Sequence, residues 1–154
     1  MKNTIILLIV SLLFITIACD DDEEIKSYEE QLAIDIDIIQ NYLEDHYLPV
    51  QSTEDGLHYI IHSEGTGSSP TADSTVTVKY SGRLLNNKTF DSGIATFELK
   101  DLILGWRKGL PLLKEGAIAV FYVPSSMGYG VYGANGIPGN SVLIFAIELQ
   151  DVSN

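Results

Sequence analysis

The chain has 154 residues, enough for one ordinary domain with an appendage, and 45% of them are hydrophobic, so a packed core can form. Its formal net charge is −12, from 21 acidic and 9 basic residues. A polyanion of this kind is repelled by phosphate backbones, which argues against nucleic acid as a partner.

In chain order, Lys2 is followed by a mostly apolar run of 14 residues, 5 to 18. That is short of the ~20 residues a bilayer-spanning helix needs, and it suits the apolar region of a signal peptide. The run ends Thr16-Ile17-Ala18-Cys19 at the chain's only cysteine, which therefore has no partner for an internal disulfide. The segment resembles a bacterial lipoprotein signal, although Thr16 stands where leucine is usual. The resemblance implies lipidation of Cys19, attachment to a membrane and a cell-envelope location, most simply the outer membrane. A cleaved signal with an incidental cysteine and an uncleaved anchor are the competing readings. Asp20-Asp21-Asp22-Glu23-Glu24 reads as a solvated tether. It also resembles surface-export signals of Bacteroidetes lipoproteins, which leaves the periplasmic and outward faces both open.

From 25 to about 47, apolar residues at Tyr28, Leu32, Ile36, Ile39, Leu43 and Tyr47 recur in steps of four and three, the signature of one helical face. Pro49 stops the helix. Residues 51–56 read as a linker and 57–62 as a strand. A loop rich in Gly, Ser, Thr and Pro follows over 65–74. Residues 76–84 alternate as a strand toward a turn at Asn86-Asn87. A short helix is expected over 102–110, with strands over 117–123 and 142–152 enclosing a Gly-rich loop, 128–140. Many strands with one short helix define an α+β domain around an antiparallel sheet. The organisation is a signal (1–18), a tether (19–24), a helical segment (25–50) and a domain (51–154). Pattern alone does not reveal an activity.

Four ordered segments carry more. They are Val78-Lys79-Tyr80-Ser81-Gly82 with Phe90-Asp91-Ser92; Leu102-Ile103-Leu104-Gly105-Trp106 with Gly109-Leu110; Val123-Pro124-Ser125-Ser126-Met127-Gly128-Tyr129-Gly130; and Gly136-Ile137-Pro138 leading to Leu143-Ile144-Phe145. Together, over about 57–152, they resemble FKBP-type peptidyl-prolyl cis/trans isomerases. The resemblance implies a twisted antiparallel sheet curled around a short helix, with an apolar cavity between them. Its expected lining is Tyr80, Phe90, Asp91, Leu102, Ile103, Trp106, Tyr129, Ile137 and Phe145, with Phe97 as a further wall. Trp106 would be the floor beneath a proline ring. The Ile137 N–H would hold the substrate carbonyl, with the Tyr129 hydroxyl as a second donor. Asp91 would orient the polar rim or meet the twisted carbonyl. No proton transfer, metal or cofactor is required. The implied partners are proline-containing polypeptides, and macrolide inhibitors of the family as further ligands. A binding or chaperone-like module with little turnover, and a purely structural lipoprotein, are the alternatives.

Other features read more plainly. His58 and His62 lie four apart on a strand rather than a helix, which does not suit a metal site. The glycines of 128–140 lack the context of a phosphate cradle. Glu98, Asp101, Glu115 and Glu148 read as surface charges. Ile118 and Val120 make both faces of strand 117–123 apolar, so either the N-terminal helix or a partner should cover the outer face. Gly139, where many relatives of this family carry proline, is expected to loosen the loop.

Overall fold

A computed structural model describes residues 27–153. The signal, Cys19 and the acidic tether lie outside the described residues. The chain order is α1 (Tyr28–Asp45), β1 (Gln51–Ser52), β2 (His58–Ser63), β3 (Thr75–Leu84), β4 (Thr89–Glu98), α2 (Leu104–Gly109), β5 (Ile118–Val123) and β6 (Leu143–Ser153). The six strands form one sheet in the order β1-β2-β5-β6-β3-β4, and every neighbouring pair is antiparallel. Residues 51–52, expected in a linker, pair with Tyr59 and His58 and extend the sheet edge.

β5 is buried on both faces, and its alternation sorts the core. Ala119, Phe121 and Val123 point to one side with Leu57, Val76, Val78, Trp106, Leu110, Phe145, Ile147 and Leu149. Tyr122 points to the other with Ile39, Leu43, Ile60 and Ile144, and Val120 packs beside them. The first cluster lies under α2; the second is the outer face of the sheet, covered by α1. Covering is incomplete, because Ile118 remains 45% exposed.

α2 approaches β5 closely because Gly105 and Gly109 face it. A Cβ on Gly105 would lie 2.5 Å from Val123 Cγ1, and one on Gly109 would lie 2.4 Å from Phe121 Cε2. Such contacts are tighter than any side chain tolerates, so the glycines set the depth at which α2, and Trp106 within it, sits on the sheet. Lys108 on the far side of α2 pairs with Asp55, which ties the helix to the turn before β2.

α1 begins with a capping box. Glu30 N–H donates to Ser27 Oγ at 3.3 Å, and Ser27 N–H donates to Glu30 Oε2 at 3.0 Å. Its buried residues are Asp35, Ile39 and Leu43, one per turn. Tyr28 and Tyr47, expected on the inner stripe, are exposed. The helix ends two residues before Tyr47. Leu48 N–H returns to Leu43 O at 3.1 Å, Tyr47 N–H to Glu44 O at 3.0 Å, and Tyr47 takes φ +53°. This is a Schellman closure with tyrosine in the left-handed position.

Since Ile39 is fully buried between α1 and the outer sheet face, Ile39→Ala should lower unfolding stability by roughly 2–5 kcal/mol. Urea denaturation of the full chain measures this, and an unchanged midpoint would mean that α1 is not packed there.

Candidate functional site

The concave side of the sheet, where β3, β4 and β6 curve past α2, carries a cluster of aromatic rings around Trp106. The indole is 3% exposed. Three rings meet it nearly edge-on: Phe145 at 5.3 Å and 85°, Tyr80 at 5.4 Å and 82°, and Phe97 at 6.0 Å and 88° between ring centroids and planes. Phe90 continues the set against Phe145 at 5.6 Å and 86°. Edge-to-face packing lets each ring turn its positive edge to a neighbour's negative face. The arrangement holds Trp106 as a base with rings standing around it.

Strand register brings these residues together. Gly82 lies opposite Phe145 on β6 and Asp91 on β4, and Tyr80 lies opposite Gly93 and Ile147. The space above Gly82 is filled by rings: a Cβ there would be 2.6 Å from Phe90 Cε2 and 2.8 Å from Phe145 Cε1. Gly93, by contrast, has nothing within 4 Å of a notional Cβ, so the β4 wall beside Tyr80 is open. Tyr80, Phe90, Phe97, Leu102 and Ile103 are half-buried around the buried Trp106 and Phe145. The set is thus buried at its base and partly exposed around it.

Polar groups are few. Tyr80 Oη donates to Asp91 Oδ2 at 2.9 Å. Burial raises the Tyr80 phenol above its ordinary range, and its hydrogen bond to the Asp91 carboxylate raises it further. Tyr129 stands at the rim, 40% exposed. Its phenol is also raised, by burial first and then by the charge of Asp91. Both are therefore neutral donors through the physiological range. Among the described residues the Trp106 indole N–H is buried without an acceptor.

One expected role is corrected. The Ile137 N–H is engaged: it donates to Ala134 O at 2.9 Å, and Ala134 N–H returns to Ile137 O at 3.0 Å. The loop closes on itself there, so Ile137 supplies a buried side chain rather than a free donor. A free amide exists elsewhere. Among the described residues nothing accepts from the N–H of Ile103, which precedes α2 three residues before Trp106. Side-chain pattern gave no signal for it; only the backbone turn into α2 shows it.

Gly139 lets two loop segments cross, since a Cβ there would lie 1.9 Å from Val131 O. Glu115 is not a plain surface charge; it is half-buried and accepts from Val152 N at 3.2 Å. His58 is buried, with Nδ1 2.9 Å from Gly56 O, while His62 is exposed on the same strand. Missed altogether was Asp35, which α1 carries fully buried into contact with Ser125 at 2.6–2.7 Å.

Sequence comparison matches residues 67–150 to the family described as FKBP-type peptidyl-prolyl cis-trans isomerase. The chain belongs to that family. It is 43% identical over 105 residues to the FKBP-type isomerase FkpA of Aeromonas hydrophila, covering 65% of this chain and 39% of that protein. It is 44% identical over 109 residues to the isomerase Mip of Coxiella burnetii, covering 67% of this chain and 47% of that protein. The chain thus spans less than half the length of these curated relatives. Among solved structures, FkpA from Escherichia coli superposes with a TM-score of 0.71 at 33% identity, over 81% of this chain and 62% of that one. A peptidyl-prolyl isomerase from Pseudomonas syringae pv. tomato gives 0.70 at 30% identity, over 84% of this chain and 98% of that one.

Gly82→Ala should displace Phe90 or Phe145, cost about 1–3 kcal/mol of stability and weaken proline-peptide binding. An unchanged melting temperature and affinity would show the hollow to be looser than described. A pH effect follows from the phenols. Their raised values mean that the folded state holds these protons more tightly, so their stabilising effect is complete below about pH 10 and is lost as pH rises through the folded values. Peptide binding should be flat from pH 7 to about 9. An inflection inside that window that disappears in Tyr129→Phe would contradict this.

Proposed function

We propose that the chain is a peptidyl-prolyl cis/trans isomerase acting on Xaa-Pro bonds, with the proline ring seated on Trp106. The observation that carries this reading is the edge-on ring set around a buried indole, open at its rim, in a chain of this family. The reaction needs little else. An amide resists rotation by ~18–20 kcal/mol because resonance makes it planar and dipolar. At the twisted transition state that dipole is reduced, so an apolar enclosure disfavours the planar ground state relative to the twisted one. Every ~1.4 kcal/mol of such preference gives tenfold in rate.

Donors must be placed with care. A hydrogen bond to the oxygen of the rotating amide would strengthen its planar form. The free Ile103 N–H and the Tyr129 hydroxyl therefore serve the proline's own carbonyl, which fixes the ring without hindering rotation. Asp91 accepts from Tyr80 and holds that ring upright at the rim; it acts as an orienting group. Tyr80, Phe90, Phe97, Leu102, Ile137 and Phe145 complete the enclosure. The same hollow would take macrolide inhibitors of the family.

The substrates are envelope polypeptides, and Cys19 carries the lipid that tethers the domain to a membrane. Support for this part comes from the order Lys2, apolar run, Cys19, acidic block. No helix among the described residues is long and apolar enough to cross a membrane.

A protease-coupled assay on an Xaa-Pro peptide tests the reading. The chain should accelerate isomerisation well above buffer. Tyr129→Phe should lower kcat/KM by roughly three- to tenfold, the worth of one hydrogen bond, with little change in melting temperature. Peptide binding without acceleration would leave a binding module.

A further inference from the structure

The outer helix reaches the site through one buried group. Asp35 sits on the inner stripe of α1, one turn before Ile39, and is 0% exposed. Its Oδ2 accepts from Ser125 N–H at 2.7 Å and from Ser125 Oγ at 2.6 Å, while Oδ1 accepts from Gln31 Nε2 at 2.8 Å. These lengths are in the range of charge-assisted bonds. A leucine at this place would extend the apolar contact of Ile39 and Leu43, whereas a carboxylate is costly to bury unless fully bonded. The position therefore holds a group whose geometry matters.

What Ser125 does next gives the geometry its use. The residue opens a single 3-10 turn, Ser125–Met127, directly after β5 and Pro124. Its carbonyl accepts from Gly128 N–H at 3.0 Å and from Gly130 N–H at 2.8 Å, the residues on either side of Tyr129. The carbonyl of Gly130 in turn accepts from Asn140 N–H at 2.9 Å, closing the loop that contains Ile137. The Tyr129 hydroxyl has no hydrogen bond of its own among the described residues, so its direction is set by this backbone. A continuous line of bonds thus runs from α1 to both flanks of the rim donor.

We propose that Asp35 is a positioning residue of the isomerase site, fixing through Ser125 the turn that aims Tyr129. This rests on the isomerase reading above for its functional meaning. The competing account is that Asp35 merely pins α1 to the domain.

The test is a double-mutant cycle in the full chain, with Asp35→Ala, Tyr129→Phe and their combination. Ile39→Ala serves as a control that weakens α1 packing without touching Ser125. Asp35→Ala should lower kcat/KM about tenfold when Tyr129 is present and by less than about twofold when it is Phe, because the two act as a unit. Ile39→Ala should leave kcat/KM within about twofold while lowering the melting temperature at least as far. Asp35→Asn, which keeps an acceptor for Ser125, should recover most of the rate; Asp35→Leu, which removes the acceptor and keeps an apolar contact beside Ile39, carries the cycle if the alanine variant does not fold. Losses that simply multiply, or an equal loss in Ile39→Ala, would overturn the proposal. Amide exchange gives a readout independent of turnover: Gly130 N–H should exchange faster in Asp35→Ala or Asp35→Leu but not in Asp35→Asn or Ile39→Ala, and unchanged exchange in the first two also overturns it. A wild-type chain that fails to isomerise would sink the isomerase reading, whereas the exchange arm still decides whether Asp35 orders the Tyr129 turn.

Discussion

Everything at the site depends on how close α2 comes to β5. The helix is only Leu104–Gly109, too short to be stable by itself, so tertiary contact must hold it. Gly105 and Gly109 remove the side chains that would keep it off the sheet, and Val123 and Phe121 occupy the vacated space. With the helix seated at that depth, Trp106 lies level with the rings of Tyr80, Phe97 and Phe145, which come from three different strands. A bulkier residue at either glycine would lift the indole out of the plane its neighbours define. The glycines thus convert a marginal helix into a fixed floor.

That floor explains why so few polar groups are present. In the reaction proposed, isomerisation of a prolyl bond forms and breaks no covalent bond, so a site for it needs no group to move a proton. What it can control is the environment of the amide and the direction of the ring. The apolar enclosure supplies the first. In the same proposal direction needs only two donors, and both must avoid the oxygen of the rotating bond. The pairing of Asp91 with Tyr80 keeps the strongest local charge occupied at the rim, away from the hollow where it would favour the planar, dipolar amide.

The α+β class, the central helix and the strands β3, β5 and β6 were legible in the sequence, β3 because it alternates against a core on one face and β5 and β6 because they are apolar runs. β4 was not read as a strand for a physical reason: Gly93 has nothing within 4 Å of a notional Cβ and Ile94 beside it is exposed, so its residues do not sort into one buried and one solvated set. The aromatic lining was legible through family resemblance, not through pattern, since rings in strands look like ordinary core. The engaged Ile137 amide and the free Ile103 amide were not legible, because backbone pairing inside turns leaves no trace in side-chain order. Asp35 escaped for the opposite reason: a search for apolar periodicity passes over a polar residue on the buried stripe.

The same contrast between core-held and loop-held residues accounts for the uneven use of hydrogen bonds in the molecule. Tyr80, Phe90, Phe97 and Phe145 stand on strands, and Trp106 on a helix wedged by glycines, so packing alone fixes them. Tyr129 and Ile137 stand on a loop that crosses itself at Gly139 and has little apolar contact of its own beyond Met127 and Ile137. A loop of this kind can be held only by polar ties, and the one buried carboxylate on α1 supplies the tie nearest Tyr129. Covering the outer face of the sheet could have been done by any apolar helix. Reaching past β5 to the turn that carries a rim donor required a residue that can accept two hydrogen bonds at a fixed angle, and in doing so it joins the back of the sheet to the front.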